Sequence, residues 1–208
     1  MGTQSGSPHP EDAGGERPIR SLEDLRRLLA GKDDFEALVA LTESDPLRLE
    51  DRVFAFLRGR YMLLNPRTVM TRALTWLATW ANEPLTVESL DDLIDRSLAA
   101  VVEELLAEET REARENPVLP EPLEPRYALL ARRLGLSPSQ VRYASQAMND
   151  LPEHEREAIH AMLVQGLGFT RFAQAKGLDA REAKNLALRA LLALRKRIEE
   201  LQEGGGDE

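Results

Sequence analysis

The chain has 208 residues, 27 Lys/Arg against 36 Asp/Glu, a formal net charge of −9 and no cysteine. That length suffices for two small domains with separate cores. The missing cysteines exclude disulfides and thiolate metal sites, and the acidity argues against a general nucleic-acid coat.

Alanine, leucine, arginine and glutamate dominate while β-branched and aromatic residues are few. This composition predicts an all-α protein of two small helical domains joined by a Pro-rich linker. No apolar run approaches the ~18 residues that cross a bilayer, and the polar N-terminus lacks a signal-peptide core. The expectation is a cytoplasmic protein with no membrane partner.

Residues 1–20, rich in Gly, Ser, Pro and charge, read as a disordered tail, and 202–208 as its C-terminal counterpart. Residues 21–115 read as an N-terminal helical domain. Ser21 opens a helix carrying Leu22, Leu25, Leu28 and Leu29, and Asp33-Asp34 leads into a second one beginning at Phe35. A third segment carries Val53, Phe54, Phe56 and Leu57. After Asn65-Pro66 a helix over 67–81 places Val69, Leu74, Leu77 and Trp80 toward a common core, with Trp76 toward a different side. Thr86-Val87-Glu88 is the expected cap of the next helix, where Leu90, Leu93, Ile94, Leu98, Val101 and Val102 recur at 3-4 spacing. Asp91, Asp92 and Asp95 give that helix an acidic face suited to a basic protein partner, or an ordinary solvated one. From 86 to 115 there are 3 arginines and 10 acids, a balance that repels a DNA strand.

Residues 116–126 form the expected linker: NPVLPEPLEP holds four prolines in ten residues, which removes backbone donors and forces extended geometry. The following domain spans 127–201. Its first phrase, Tyr127 to Val141, has the alanine, glycine and capping-serine spacing of two helices packed at a tight turn. It reads as a structural hairpin or a second reading head, the latter on Arg132, Arg133 and Arg142.

Leu151 to Leu201 is the most informative stretch. Ala158, Ile159, Met162 and Leu163 lie on one face of a helix over 151–167, which starts at Pro152 and carries Glu153, Glu155 and Glu157 at its positive end. Gly166 and Gly168 break it. Thr170 is the expected cap of a short helix whose Phe172, Ala173 and Ala175 face inward, and Gly177 closes it in the left-handed region. Asp179 then caps a long last helix. At about 100° per residue, Ala183, Ala187, Ala190, Leu194 and Ile198 share its core side. Arg181, Lys184, Asn185, Arg189, Arg195 and Lys196 lie opposite, with Leu188 and Leu192 among them. This is the arithmetic of a helix-turn-helix, which binds DNA with phosphate-neutralising cations and a few side chains that reach base edges. Thr170, Arg171, Arg181, Lys184, Asn185 and Arg189 are the candidate DNA-binding residues. The same cations also suit a plain solvated face, and Leu188 and Leu192 suit a protein contact. From 151 to 201 there are 9 Lys/Arg against 7 Asp/Glu, so the acidity lies elsewhere.

This segment resembles region 4 of bacterial RNA polymerase sigma factors of the sigma-70 family, in particular the extracytoplasmic-function type. Leu151-Pro152-Glu153 and Arg156-Glu157 stand at the opening, after Ala147-Met148-Asn149-Asp150. Gly166-Leu167-Gly168-Phe169 stands at the helix break, Phe172-Ala173 in the short helix, Gly177-Leu178-Asp179 at the turn, and Lys184, Arg189 and Ala190 on the recognition helix. Lys176 departs from the family's buried leucine, and Leu186 and Leu191 from its arginines. Upstream, Ser89 to Leu98 is similar, imperfectly, to the polymerase-clamping helix of sigma region 2. The aromatic, basic segment that melts promoters in that family does not follow it, so either promoter opening uses residues around Arg58-Gly59-Arg60-Tyr61 and 67–80 or, the favoured reading, this protein does not open promoters.

The resemblance implies a DNA-binding transcription regulator, with double-stranded promoter DNA, RNA polymerase core or another protein, and an anti-sigma-like partner as its contacts. Asp91, Asp92, Asp95, Leu188 and Leu192 are the candidate partner-binding residues. The alternative is a non-DNA-binding helical adaptor or oligomerisation protein. No enzyme, catalytic residue, cofactor or metal is expected. His154 and His160 are six residues apart, which turns the second about 240° from the first, whereas a helical metal site needs ligands four apart. Neither a P-loop nor a dinucleotide-binding or nucleophile-elbow motif is present.

Overall fold

A computed structural model describes residues 19–80, 87–115, 132, 135 and 137–203 of the chain. These residues form an all-helical structure, with no strand among them. Residues 1–18 and 204–208 of the expected tails, the whole linker over 116–126, Ala81, Thr86, Tyr127 and Arg133 lie outside the described residues, whereas Ile19 packs against the first core and Gln202 and Glu203 continue the last helix.

The first five helices are α1 Leu22–Leu29, α2 Asp34–Thr42, α3 Leu49–Gly59, α4 Pro66–Trp80 and α5 Leu90–Glu115. Their starts are chemically marked. The Ser21 hydroxyl accepts the Asp24 amide at 3.1 Å, and Asp33 and Glu36 form a reciprocal capping box. Asp45 reaches forward from a left-handed backbone to accept the Leu49 and Glu50 amides at 2.7 and 3.1 Å, which starts α3. Ser89, not Val87 or Glu88, caps α5 by accepting the Asp92 amide at 3.1 Å.

One apolar cluster joins these five helices, centred on Leu41, Leu49, Val69, Leu77, Leu93, Ile94 and Leu98. The 3-4 repeat of α5 is fully used: Leu90, Leu93, Ile94, Leu98, Val101 and Val102 are all buried. Two positions depart from the periodicity. Phe54 is 50 % exposed although Val53, Phe56 and Leu57 are buried, because consecutive helical residues cannot all face one side. Trp76, expected on another side, packs half-buried against the edge of this core.

The remaining helices are α6 Pro138–Asn149, α7 Glu153–Ile159, α8 Phe169–Lys176 and α9 Ala180–Glu203. Ser137 and Gln140 form a capping box for α6, with Pro138 in its first turn. The helix expected over 151–167 is shorter and less regular. After α7 the chain makes a wide π turn at His160–Val164, with the Gln165 amide on the His160 carbonyl at 3.0 Å. The widened turn breaks the 3.6 period, and Leu163, expected inside, is 64 % exposed. A second apolar cluster forms beneath α9, with Phe172, Ala158, Ile159, Ala183 and Ala190 at its centre. A third, smaller one joins Tyr143 and Ala147 to Leu201 near its end.

The two halves of the chain meet through polar groups. Arg142, Gln146, Asn149 and Arg156, all buried, reach from α6 and α7 to the first half. The Asn149 Oδ1 accepts the Leu63 amide at 2.7 Å, and Gln146 Nε2 donates to the Glu109 carbonyl at 2.6 Å. Arg156 Nε donates to the Arg60 carbonyl at 2.8 Å, while its Nη1 donates to the carbonyls of Asn149 and Leu151. Arg142, 3 % exposed, lies 3.7 Å from Glu112. Its burial removes it from the surface that a second reading head would need.

Candidate functional site

The candidate site is built by α8, the turn after it and the first half of α9. Gly168, not Thr170, precedes the first turn of α8, so Thr170 lies inside the helix with its side chain exposed. Phe172 and Ala173 anchor the inner face of α8, but Ala175 is exposed. Gly177 has φ +66°, the left-handed conformation in which a Cβ is strained, and the Leu178 amide returns to the Ala173 carbonyl at 2.9 Å. Asp179 then starts α9. Its Oδ1 accepts the Arg181 and Glu182 amides at 2.7 and 2.8 Å, and Glu182 accepts the Asp179 amide at 3.1 Å. Ala183, Ala187 and Ala190 are buried on the inner face, where small side chains let α9 lie close on α7.

All six expected DNA-binding residues are exposed: Thr170 and Arg171 on α8, and Arg181, Lys184, Asn185 and Arg189 on α9. None is covered by the described residues of the first half of the chain, which contact α6 and α7 instead.

The cations of α9 divide into two groups. In its second half Arg195 pairs with Glu199 at 2.8 Å and Lys196 with Glu200 at 3.4 Å. Arg197 pairs with Asp150 at 2.7 Å and with Glu200 at 3.1 Å. In the first half, Arg181, Lys184 and Arg189 have no ion-pair partner among the described residues, and neither has Arg171 on α8. The reason is in the sequence: no acid stands three or four residues from any of the four. Uncompensated charge therefore concentrates at the N-terminal half of α9, where the helix dipole adds to it.

Leu188 and Leu192 interrupt this surface at 45 and 67 % exposure. With Asn185 and Arg189 they line an open trough of about 620 Å³, bounded across from α9 by His154 at the start of α7. Leu186 is partly buried in the second cluster and Leu191 is 37 % exposed.

Lys176 has a structural role. Its Nζ lies 2.5 Å from Glu157, whose carboxylate also accepts the Tyr61 hydroxyl at 2.7 Å. Burial raises the Glu157 carboxyl, but hydrogen bonds from Lys176 and Tyr61 outweigh it and leave the group below the ordinary carboxylate value. The Tyr61 phenol is held above its ordinary value, chiefly by its bond to Glu157. Its ring also rests against His160, with centroids 5.1 Å apart. The role of this junction was not legible in the sequence, because Tyr61 and Glu157 are 96 residues apart. Tyr61 and Arg60, the latter stacked 3.7 Å over the Phe56 ring, are thereby engaged within the fold.

Of the acidic face of α5, Asp91 bonds Arg52 at 2.7 Å and Asp92 bonds Arg96 at 2.9 Å, while Asp95 is exposed. Arg132 is exposed. Among the described residues no group of three or more His, Asp or Glu is placed to hold a metal ion. Comparison of the chain with protein-family models, with curated proteins and with solved structures found no match.

Proposed function

We propose that this chain is a DNA-binding transcription regulator resembling a divergent sigma factor. In this reading α7, α8 and α9 form a helix-turn-helix domain whose last helix enters the major groove of promoter DNA. The observation that carries it is the division of cations along α9: those in the half next to the turn face solvent without an ion-pair partner among the described residues, and those in the distal half are paired. Arg181, Lys184 and Arg189, with Arg171 on α8, supply phosphate neutralisation, and Asn185 and Thr170 supply base-edge or backbone contacts. The acidic first half, through Asp95 and its paired neighbours Asp91 and Asp92, contacts RNA polymerase or another protein.

The test is fluorescence-anisotropy titration of duplex DNA over a salt series. Binding should weaken steeply with salt. Lys184→Ala should reduce the slope of log K against log [salt] by about one if that lysine touches a phosphate. Arg189→Ala should weaken binding by roughly tenfold or more if the arginine meets a base edge. Binding without salt dependence, or untouched by both substitutions, refutes the reading.

The exposure of Leu188 and Leu192 favours one second reading, a helical adaptor that binds protein through this face. The Leu188→Glu/Leu192→Glu variant would then abolish the protein complex, and neither cation substitution would have a DNA phenotype to affect.

A further inference from the structure

Along the solvent side of α9, Arg181, Asn185, Leu188, Leu192, Arg195 and Glu199 follow one another at alternating spacings of four and three. That alternation is the seam repeat of a two-helix coiled coil, and its two leucines stand in the middle, both exposed. The order of the seam is also self-complementary when reversed. An antiparallel copy centred at position 190 sets Leu188 against Leu192 of the second copy, Asn185 against Arg195 of the second copy, and Arg181 against Glu199 of the second copy. Each contact is made twice by the two-fold axis. On one flank Glu182 then meets Lys196 of the second copy, and on the other Leu191 meets its own equivalent at the axis. The opposing contact is Arg189, which faces its own equivalent. A parallel copy in register instead stacks Arg181, Arg195 and Glu199 each on its like, which charge repulsion disfavours.

We infer that this face of α9 is a docking surface for a second copy of the chain, as an antiparallel α9–α9 pair held by Leu188 and Leu192 and aligned by the Arg181–Glu199 ion pairs. The pairing does not rest on DNA being the other occupant of the face, and it is tested in the absence of DNA. Two leucine layers make a small apolar seam, so association should be concentration-dependent, with a dissociation constant on the order of 1–100 µM.

Sedimentation velocity of the full chain between about 1 and 500 µM reads the state directly. The expected result is a monomer–dimer equilibrium that Leu188→Glu/Leu192→Glu and Arg181→Glu each weaken at least about tenfold. Arg181→Glu/Glu199→Arg should restore it, with helical content checked by circular dichroism in every variant. Because the chain has no cysteine, register can be read by oxidative cross-linking. Arg181→Cys mixed with Glu199→Cys should link, whereas Arg181→Cys alone should not, since two such positions lie about 27 Å apart in the antiparallel pair. A chain monomeric throughout, a dimer indifferent to both weakening substitutions, or an Arg181→Cys protein that links to itself overturns the inference.

Discussion

Glu157 joins three parts of the chain, accepting from Tyr61 of the α3–α4 loop and pairing with Lys176 at the end of α8. Its carboxyl is lowered in the folded state, so it stabilises the fold above its unfolded value and loses that contribution as pH falls through the folded one. The loss therefore lies in the acid range below 4.5. Tyr61 is raised, so its contribution is present below 10.0 and disappears as pH climbs through its folded value. Glu157→Gln should flatten both limbs of a plot of Tm against pH, and Tyr61→Phe the alkaline limb; unchanged limbs in both variants would show that the junction carries no stability. Arg156→Ala strips the carbonyls of Arg60, Asn149 and Leu151 of a buried donor and should cost about 3 kcal/mol in urea unfolding at pH 7. Local pattern shows Arg156 as an ordinary residue of an opening helical turn. Its burial depends on a carbonyl 96 residues away, which no periodicity reports.

Where an element starts or stops is decided by a few neighbouring residues, and these are the features most legible in the chain. Ser21, Asp33, Ser137 and Asp179 cap the helices they precede, and Gly177 takes the left-handed turn expected of it. Asp179→Ala should destabilise by about 1 kcal/mol through the lost cap. Gly177→Val should cost more, since a β-branched side chain in the left-handed region adds about 1–2 kcal/mol of backbone strain. Thermal unfolding monitored by circular dichroism checks the order, and a Gly177→Val protein as stable as the parent would contradict the turn geometry. Periodicity misled where hydrogen bonding left the α register. The π turn at His160–Val164 carries Leu163 outward and shortens α7.

At the level of the whole molecule the decisive feature is the polar seam. Gln146, Asn149, Arg142 and Arg156 each place a polar group on a partner in the other half of the chain, so separating the halves strands buried polar groups. A protease site inserted between Pro120 and Glu121, once cut, should leave two fragments that co-elute on gel filtration. Gln146→Leu/Asn149→Leu should release them, and fragments that separate without those substitutions would show the seam to be too weak to hold. The all-helical class, the caps at Ser21, Ser137 and Asp179 and the exposed cations of α9 followed from the sequence alone, whereas α5 and α8 start after Ser89 and Gly168, not after the caps expected at 86–88 and at Thr170. Each depends on interactions within a few residues or on a single helical face, which the 3.6-residue period exposes. The tertiary structure alone decided that Arg142 and Arg156 are buried, that Tyr61 meets Glu157, and that the described residues of the first half leave the outer face of α9 open. Those outcomes join residues far apart in the chain, and only packing selects which distant groups meet.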